Sequence, residues 1–286
     1  MLDSDADQWG ALLNEFLLVA HRADGTLRHG CGVINVHDFG AKGDAVANDT
    51  VALQAAINAA QQTLTACIYL PPGTYLISAT LTVDHPIQIC SSGWSAIIRA
   101  TQANFHLIHL FGGASTSRLT NFQIQGAATS ETTSQYAIFT EAASIPTHIT
   151  LDHLSISGSG GTTGCNNGIK LDSGADDWVI HHNRFEHLIG TTDGHGYGVL
   201  VGAALHNRIA WNHFAGSTGQ GRHAVYLSGG ASHNMIAHNS VDNFAEEALT
   251  ISTYKGQPAS QHNQMISNTI HQGGQLTTDS AAIGVY

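Results

Sequence analysis

The amino-acid sequence predicts an all-β protein built as a parallel solenoid, in which short strands stack coil upon coil. Four asparagines, Asn183, Asn212, Asn239 and Asn268, recur at intervals of 29, 27 and 29 residues. Each is followed two positions later by an apolar residue, as a short buried strand requires. With 31 Gly and only 11% charged residues, the composition favours strands and turns over surface helices. A repeat of this length indicates coils that bury their apolar faces on each other.

We interpret the repeated asparagines as a structural ladder rather than as a row of ligands. A side-chain amide donates and accepts at once, so a column of amides can hydrogen-bond along the solenoid axis. A second column, Asn207, Asn234 and Asn263, lies five residues before three of the four. We expect Asp152 to fill the place of the first column in the preceding coil, 31 residues before Asn183.

The N-terminal part of the chain is predicted to contain two helices. Residues 1–32 form a linker segment with a short helix over residues 9–19, where apolar residues recur at helical spacing. A second, Ala-rich helix begins near Thr50, with Asp49 as its N-cap.

The remainder, residues 33–286, is predicted to be the solenoid. Strands are expected at residues 68–78 and 80–89, broken by a Pro-Pro-Gly turn. The sequence stops inside an inward-facing strand, which would leave an open sheet edge, so we expect the solenoid to be truncated or to continue there.

Aligning the coils on the asparagines also aligns a second strand of each coil. Since side chains alternate faces along a strand, every second residue of this strand should point inward. The expected inward column is Ile138, Ile169, Val199, Val225, Leu249 and Ile283. The expected outward columns are Phe139, Lys170, Leu200, Tyr226, Thr250 and Gly284, and, slightly upstream, Tyr136, Asn167, Tyr197, His223, Glu247 and Ala281.

Polar residues cluster on this outward face in a way that suits a uronic-acid polymer. Removing the C5 proton of a uronate requires a donor that neutralises the carboxylate, a base, and an acid that protonates the leaving O4. We assign the donor role to Arg222 with Asn167 or Lys170. The base is His223 or His195, and the acid is Tyr226 or Tyr197. Asn167, Asp193 and Glu247 are assigned to substrate binding.

One feature of this site conflicts with regular strand geometry. His223 and Tyr226 are three residues apart, so strict alternation would place them on opposite faces. We therefore predict a bend or bulge at the start of their strand.

Two motifs near residues 33–78 resemble a known family. V-x-D-F-G-A-K-G-D at residues 36–44 and Y-L-P-P-G-T-Y at residues 69–75 are similar to the N-terminal segment of pectate-lyase-type proteins. The resemblance implies a right-handed parallel β-helix whose open end is capped by the helix between the motifs. That group includes polysaccharide lyases, glycosidases, mannuronan C5-epimerases and phage tailspikes, and a tailspike would be a homotrimer.

The resemblance extends to the candidate site. Mannuronan C5-epimerases have an Arg-His pair at the start of a strand and a Tyr, Asp and His set in the preceding coils. Arg222-His223 and the set Asp193, His195 and Tyr197 look similar, although Asp193-Gly194-His195 stands where those enzymes have Asp-Pro-His.

Composition excludes several other classes of function. The net charge of -11 argues against a nucleic-acid partner. The acidic start is unlike a signal peptide, and no run reaches the ~18 apolar residues of a membrane span. The four cysteines lack metal-ligand spacing and are interpreted as free thiols. We expect no cofactor and no catalytic metal, with Ca²⁺ as the alternative, since carboxylates are scarce in the candidate site.

The leading interpretation is therefore a lyase that cleaves a uronate-containing polysaccharide by β-elimination, located outside the cell or on a phage particle. C5-epimerisation on the same substrate class, glycoside hydrolysis and non-catalytic glycan binding by a tailspike or adhesin are the alternatives. Hydrolysis needs two carboxylates. Glu246 and Glu247 are adjacent, so alternation is expected to send them to opposite sides, which leaves Asp193 or Asp172 with Glu247.

Overall fold

Three parallel sheets, stacked along one axis, make up the molecule. The computed structural model describes residues 32–60, 67–141, 144–158, 163–216, 220–253, 256–271 and 282–286. Neighbouring strands of each sheet come from successive coils and run parallel. The predicted right-handed parallel β-helix is confirmed.

The strands are short, as the spacing of the apolar residues predicted. The first ten are β1 (Val33–Asn35), β2 (Asp44–Asn48), β3 (Cys67–Leu70), β4 (Gly73–Ile77), β5 (Leu81–Val83), β6 (Gln88–Ser91), β7 (Ala96–Ala100), β8 (Ile108–Leu110), β9 (Arg118–Thr120) and β10 (Gln123–Gly126). The next nine are β11 (Tyr136–Phe139), β12 (Thr150–Asp152), β13 (Ser155–Gly158), β14 (Asn167–Leu171), β15 (Val179–His181), β16 (Arg184–Glu186), β17 (Tyr197–Gly202), β18 (Arg208–Ala210) and β19 (His213–Ala215). The last seven are β20 (His223–Ser228), β21 (Met235–Ala237), β22 (Ser240–Asp242), β23 (Leu249–Ile251), β24 (Gln264–Ile266), β25 (Thr269–His271) and β26 (Ile283–Val285).

Each sheet collects the equivalent strand of every coil. Sheet A has the order β1-β3-β6-β9-β12-β15-β18-β21-β24. Sheet B has the order β2-β4-β7-β10-β13-β16-β19-β22-β25. Sheet C has the order β26-β23-β20-β17-β14-β11-β8-β5. The core lies between the three sheets, where Trp178, Phe185 and Phe214 are among the largest fully buried side chains.

A helix, α1 (Thr50–Ala60), packs at the N-terminal end of the solenoid. Its buried face consists of Leu53, Ala56, Ile57 and Ala60. Asp49 occupies the predicted N-cap position, and its carbonyl accepts the first helical bond from Leu53. Its carboxylate is used differently, because it accepts hydrogen bonds from the Lys42 and Gly43 N–H groups at 2.7 and 3.1 Å. The acidic residue before the helix therefore fixes the preceding Gly-rich turn.

The two N-terminal motifs pack closely against each other at Gly43 and Gly73. A Cβ on Gly73 would lie 2.6 Å from the Gly43 carbonyl oxygen, and one on Gly43 would lie 2.9 Å from the Tyr75 ring. Gly43 also has a positive φ of 62°. The motifs thus need glycine for space as well as for conformation.

Two asparagine ladders run along the edges of sheet A. In the first ladder (Asn183, Asn212, Asn239, Asn268), Asn212 Oδ1 accepts from the backbone N–H and side-chain amide of Asn183, both at 3.0 Å. Asn212 Nδ2 donates in turn to the Ile180 carbonyl and to Asn239 Oδ1. The second ladder (Asn207, Asn234, Asn263) repeats this pattern. Both predicted columns are confirmed as structural.

The expectation for Asp152 was wrong. Ser155 pairs with Arg184, so Leu154 lies next to Asn183 and donates its N–H to Asn183 Oδ1 at 2.9 Å. Asp152 pairs instead with His181. The preceding coil has 29 residues rather than 31, and an apolar residue ends the ladder because its backbone N–H alone satisfies the last amide oxygen.

Asp152 has a different structural role. Its carboxylate is fully buried and accepts from Arg118 Nε and Nη2 at 2.7 and 2.8 Å, and from Thr120 Oγ1 at 2.9 Å. Burial raises its pKa, but these bonds and the contact with His153 outweigh burial and lower the pKa to about 2. The ion pair therefore joins two neighbouring coils of sheet A.

The coil corners explain much of the unusual histidine content. Five histidines immediately precede ladder asparagines, and all have positive φ values between 55° and 60°: His182, His206, His233, His238 and His262. The left-handed conformation is tolerated by His and Asn more readily than by bulky residues. Their rings stack outside the ladder, at 4.8 Å between His233 and His262. These five histidines therefore have a structural role at the coil corners.

Other expectations fall partly outside the described residues. The predicted helix over residues 9–19, Cys31 and nearly all of the segment 1–32 lie there. Cys67, Cys90 and Cys165 are free thiols, as expected. Within the described ranges no helix is both long and apolar enough to cross a membrane.

Replacing a ladder amide should destabilise the fold strongly. Asn212→Ala leaves the Ile180 carbonyl and the Asn183 N–H buried without their partner, which costs roughly 2–5 kcal/mol in the free energy of unfolding. Asn104→Ala removes an exposed amide and is the matched control, with an expected change within about 0.5 kcal/mol. Urea unfolding measures both, and equal stabilities of the two variants would refute the ladder's role.

The buried ion pair predicts a specific acid dependence. Because the pKa of Asp152 is lowered from 3.8 to about 2, its stabilisation is complete above pH 4 and is lost as the pH falls through 2. Between pH 4 and pH 2 the free energy of unfolding of the wild type should therefore fall by about 2 kcal/mol more than that of Asp152→Asn. Unfolding curves at several pH values measure this difference, and a constant gap between the two proteins would contradict it.

Candidate active site

The candidate site lies on the outward face of sheet C, where β17 and β20 pair. The register pairs Tyr197 with His223 and Leu200 with Tyr226, as the alignment of coils predicted. The same column continues to Lys170 on β14 and to Thr250 on β23. The solenoid thus aligns residues from four successive coils in one column, of which Lys170, Leu200 and Tyr226 reach the surface and Thr250 is buried.

The start of β20 bends and brings His223 and Tyr226 onto one face. The Ala224 and Val225 N–H groups both donate to the Ala248 carbonyl, at 2.8 and 3.2 Å. Two successive side chains therefore turn to the core, where both are fully buried. The His223 and Tyr226 rings lie 5.1 Å apart, so the predicted bend is confirmed.

Small residues on the adjacent strands allow this bend to repeat from coil to coil. A Cβ on Gly168 would lie 2.9 Å from the Phe185 ring, and one on Gly198 would lie 2.7 Å from the Phe214 ring. The two phenyl rings stack with centroids 4.5 Å apart. Core phenylalanines occupy the space that larger side chains would need next to Ala224.

Arg222 connects three other residues of the site by hydrogen bonds. Its Nε donates to Glu246 Oε2 at 2.8 Å, and its Nη1 donates to the Tyr197 hydroxyl at 2.9 Å and to Asp193 Oδ1 at 3.1 Å. The side chain is 20% exposed. Its Nη2 has no hydrogen-bond partner among the described residues. Arg222 therefore holds three neighbours in place, and one edge of its guanidinium has no partner among the described residues.

His223 is buried behind the two tyrosines and is only 2% exposed. Its ring stacks on Tyr197 at 5.5 Å, and its Nδ1 lies 2.6 Å from the Glu247 carbonyl oxygen and 3.1 Å from Thr250 Oγ1. Burial lowers the pKa of His223, and the hydrogen bond to the Glu247 carbonyl only partly offsets this. A carbonyl oxygen only accepts, so Nδ1 carries the proton.

Two tyrosines form the wall of a cleft of about 300 Å³. The cleft is lined by Asp193, Gly194, Tyr197, Leu200, Tyr226 and Ser228. Burial raises the pKa of Tyr197 to about 12, although the nearby Arg222 opposes the shift. Tyr226 is half-buried, and no described group hydrogen-bonds its hydroxyl. The cleft thus contains one hydroxyl bonded to a cation and one without a partner among the described residues.

Asn167 supports the cleft from below. It is fully buried, donates from Nδ2 to the Gly194 carbonyl at 3.0 Å, and accepts from the Tyr197 N–H at 3.1 Å. Both ends of the amide are therefore used to position residues 193–197. Asp193, in contrast, is 61% exposed at the rim of the cleft.

The structure does not bring His195 and Lys170 into this cluster. His195 Nδ1 lies 3.3 Å from Thr192 Oγ1, and its side chain packs beside Gly190. Lys170 donates to Asp172 Oδ2 at 2.9 Å and lies two strands away from Tyr226. Neither contacts Arg222, His223 or Tyr226 within the described residues.

Glu246 and Glu247 both approach His223, so the expectation that they lie on opposite sides was wrong. Glu246 Oε2 lies 3.5 Å from Nε2, and Glu247 Oε2 lies 3.8 Å from Nδ1. The two residues lie in a bend before β23, where strand alternation does not apply. One nitrogen or oxygen atom each from His223, Glu246 and Glu247 lies within 4.8 Å of the other two. In the described part of the chain, this is the group of side chains whose spacing could hold a metal ion.

Sequence reasoning missed several residues of the site. Glu246 received no role, although it bonds Arg222, because its position in a bend could not be read from strand periodicity. Gly194, Leu200 and Ser228 complete the lining of the cleft. Leu200 was expected on the outward face. None of Gly194, Leu200 and Ser228 is ionisable, so a search for ionisable groups does not find them.

Comparisons with known proteins agree with this architecture. The chain is 58% identical over 45 residues to Mannuronan C5-epimerase AlgE6 of Azotobacter vinelandii, which is 16% of this chain and 5% of that protein. It is 54% identical over 44 residues to Alginate lyase 7 of the same organism, which is 15% of this chain and 5% of that protein. The matches thus span a small part of these relatives.

A solved tailspike has a similar fold. The tailspike protein of Escherichia coli bacteriophage HK620, solved in complex with a pentasaccharide, superposes with a TM-score of 0.59 at 12% identity. The match covers 87% of this chain and 48% of the tailspike. The family model of rhamnogalacturonase A/epimerase, pectate lyase-like proteins matches residues 33–278. Because this match covers most of the sequence, the chain belongs to the rhamnogalacturonase A/epimerase, pectate lyase-like family.

Proposed function

We propose that the protein is a polysaccharide lyase that cleaves a uronate-containing polymer by β-elimination in the cleft between β17 and β20. The observation that carries the proposal is the group formed by Arg222, Tyr197 and Tyr226. The two tyrosines line one open cleft, and the Tyr197 hydroxyl accepts a hydrogen bond from the Arg222 guanidinium. The hydroxyl of Tyr226 is unpartnered among the described residues. These are the groups that proton abstraction next to a carboxylate and departure of O4 require.

Arg222 would bind the substrate carboxylate. Its Nη2 is the part of the guanidinium that no described residue uses, and the side chain is held rigid by Glu246, Asp193 and Tyr197. A fixed cation stabilises the charge that develops on the carboxylate when C5 loses its proton. It also needs no reorganisation during the reaction.

The two tyrosines would carry the proton transfers. The Tyr197 oxygen accepts the C5 proton while its own proton passes to Asp193, whose Oδ1 lies 3.4 Å away. The electron pair forms the C4–C5 double bond, and O4 leaves with the proton of Tyr226. His223 lies against both tyrosine rings and, unlike them, is not among the residues that line the cleft, so it would instead position the two rings.

C5-epimerisation is the second candidate. It shares the first proton abstraction and differs in that C5 is reprotonated on the opposite face. The observation that favours it is the similarity to a protein named as a mannuronan C5-epimerase. Hydrolysis is less well supported, because it needs two carboxylates at the substrate. Among the described residues, Asp193 lines the cleft, whereas Glu246 and Glu247 do not.

Removing the free hydroxyl should abolish turnover without disturbing the fold. We expect Tyr226→Phe to lower kcat on the best substrate by about 100-fold or more, because general acid catalysis contributes that much. Polymannuronate, polyguluronate and polygalacturonate are the substrates to test, and the ultraviolet absorbance of the unsaturated product measures elimination. Tyr69→Phe, a half-buried tyrosine on sheet A, is the matched control and should retain the wild-type rate.

The products distinguish the alternatives. Unchanged activity in Tyr226→Phe would rule out this residue as the acid. New reducing ends without absorbance would indicate a hydrolase, and a changed uronate composition without cleavage would indicate an epimerase. Binding without any product would indicate a glycan-binding tailspike or adhesin, for which an extracellular or phage-particle location and a homotrimer are the proposals.

His223 is expected to remain a neutral, Nδ1-protonated imidazole in the active enzyme. Burial lowers its pKa, so the ring should not become charged as the pH falls to 6.5, its ordinary value. Long-range ¹H–¹⁵N NMR spectra report the tautomer and the titration, with His223→Gln used to assign the signals. Protonation at or above pH 6.5, or an Nε2-protonated ring, would contradict this assignment.

A further inference from the structure

The outward column of sheet C carries a second group of rings beyond the cleft. Adjacent strands align His109, Phe139, Lys170, Leu200 and Tyr226 in one straight column. Strands are ~4.8 Å apart, so Phe139 lies ~14 Å and His109 ~19 Å from Tyr226 along the axis. The cleft and these rings therefore share one face and one direction.

We name His106, His109, Phe111 and Phe139 the distal ring patch. The His109 ring stacks on Phe139 with centroids 4.1 Å apart at 24° and lies 3.7 Å from the Phe111 centroid. His106 packs on Phe139 from the side at 4.3 Å. His106, Phe111 and Phe139 stay half-exposed, so flat apolar surface remains open to solvent.

The Nε2 atom of His109 is the observation that suggests a ligand at the patch. His109 is 5% exposed, and its Nε2 is buried without a hydrogen-bond partner. A buried polar nitrogen without a partner is unfavourable, and an apolar side chain would suit this strand better. The fold alone therefore gives no reason for an imidazole at this place.

Two grooves flank the patch. One, of about 510 Å³, is lined in part by Asn104, His106 and Ser134. The other, of about 420 Å³, is lined in part by Thr82, Phe111 and Ser144. Hydroxyl and amide groups beside flat rings are the combination that sugar rings require, since sugars have apolar C–H faces and polar edges.

Lys170 lies between the patch and the cleft. It is one strand from Phe139 and two from Tyr226, and its side chain is 31% exposed beside Asp172. A cation at this point complements the carboxylate of an intermediate uronate unit.

We infer that the distal ring patch is a second sugar-binding subsite and that the polymer lies parallel to the solenoid axis from Tyr226 to Phe139. The inference rests on the proposed function, because it takes the substrate to be an acidic polysaccharide. A pyranose unit is about as long as the ~4.8 Å coil spacing, so roughly one sugar would lie over each coil. Four or more units are then needed to reach Phe139 from the cleft.

The test compares short and long oligomers in a variant that is expected to turn them over only slowly. In the Tyr226→Phe background, Phe139→Ala should weaken binding of oligouronates of about eight units roughly tenfold and leave trimers unaffected. Phe139→Leu keeps the apolar volume without the flat ring and should have an intermediate effect. Trp94→Ala removes a 41%-exposed ring on another face and is the matched control, with no expected change. Titration calorimetry with size-fractionated polymannuronate and polygalacturonate oligomers measures the Kd values.

The outcomes separate the two proposals. Equal Kd values for Phe139→Ala and its parent, or equal weakening for trimers and octamers, would overturn the distal subsite while the proposed function stands. Failure of every oligouronate to bind the parent protein would overturn the proposed function and the subsite together. Circular dichroism of each variant checks that the coils remain intact.

Discussion

The register between successive coils is the constraint on which the structure depends. It is set by buried amides that bond both to the next amide and to a backbone carbonyl. Each amide has several partners at once, so shifting one coil by a single residue would leave buried donors and acceptors unpaired. Hydrophobic stacking alone would tolerate such a shift more easily, because it is not directional.

The candidate site exists only because this register is fixed. Arg222 and His223 come from one coil, Asp193 and Tyr197 from the preceding one, and Glu246 from the following one. The guanidinium of Arg222 links all three coils. The amide ladders at the edges of sheet A therefore fix the register on which the hydrogen bonds of the cleft depend.

Periodicity predicted those parts of the molecule that repeat. The asparagine columns and the outward column through Lys170, Leu200 and Tyr226 follow directly from residue spacing, and the structure has the same alignment. Periodicity failed where the chain leaves the strands. Asp152 was misplaced because one coil was counted two residues too long, and Glu246 was overlooked because it lies in a bend. Placing Glu246 and Glu247 requires knowing how the backbone turns, which residue type and spacing alone do not determine.

The coil corners separate the parts of the chain that are fixed from those that vary in length. Five residues separate the two asparagine columns in every coil where both occur, from Asn207 to Asn212, Asn234 to Asn239 and Asn263 to Asn268. The return path differs, with 22 residues from Asn212 to Asn234 and 24 from Asn239 to Asn263. It contains sheet B, sheet C and the loops that border the cleft. Insertions and deletions can therefore accumulate in the loops that meet the substrate while the scaffold keeps its dimensions, so specificity can diversify at little cost to folding.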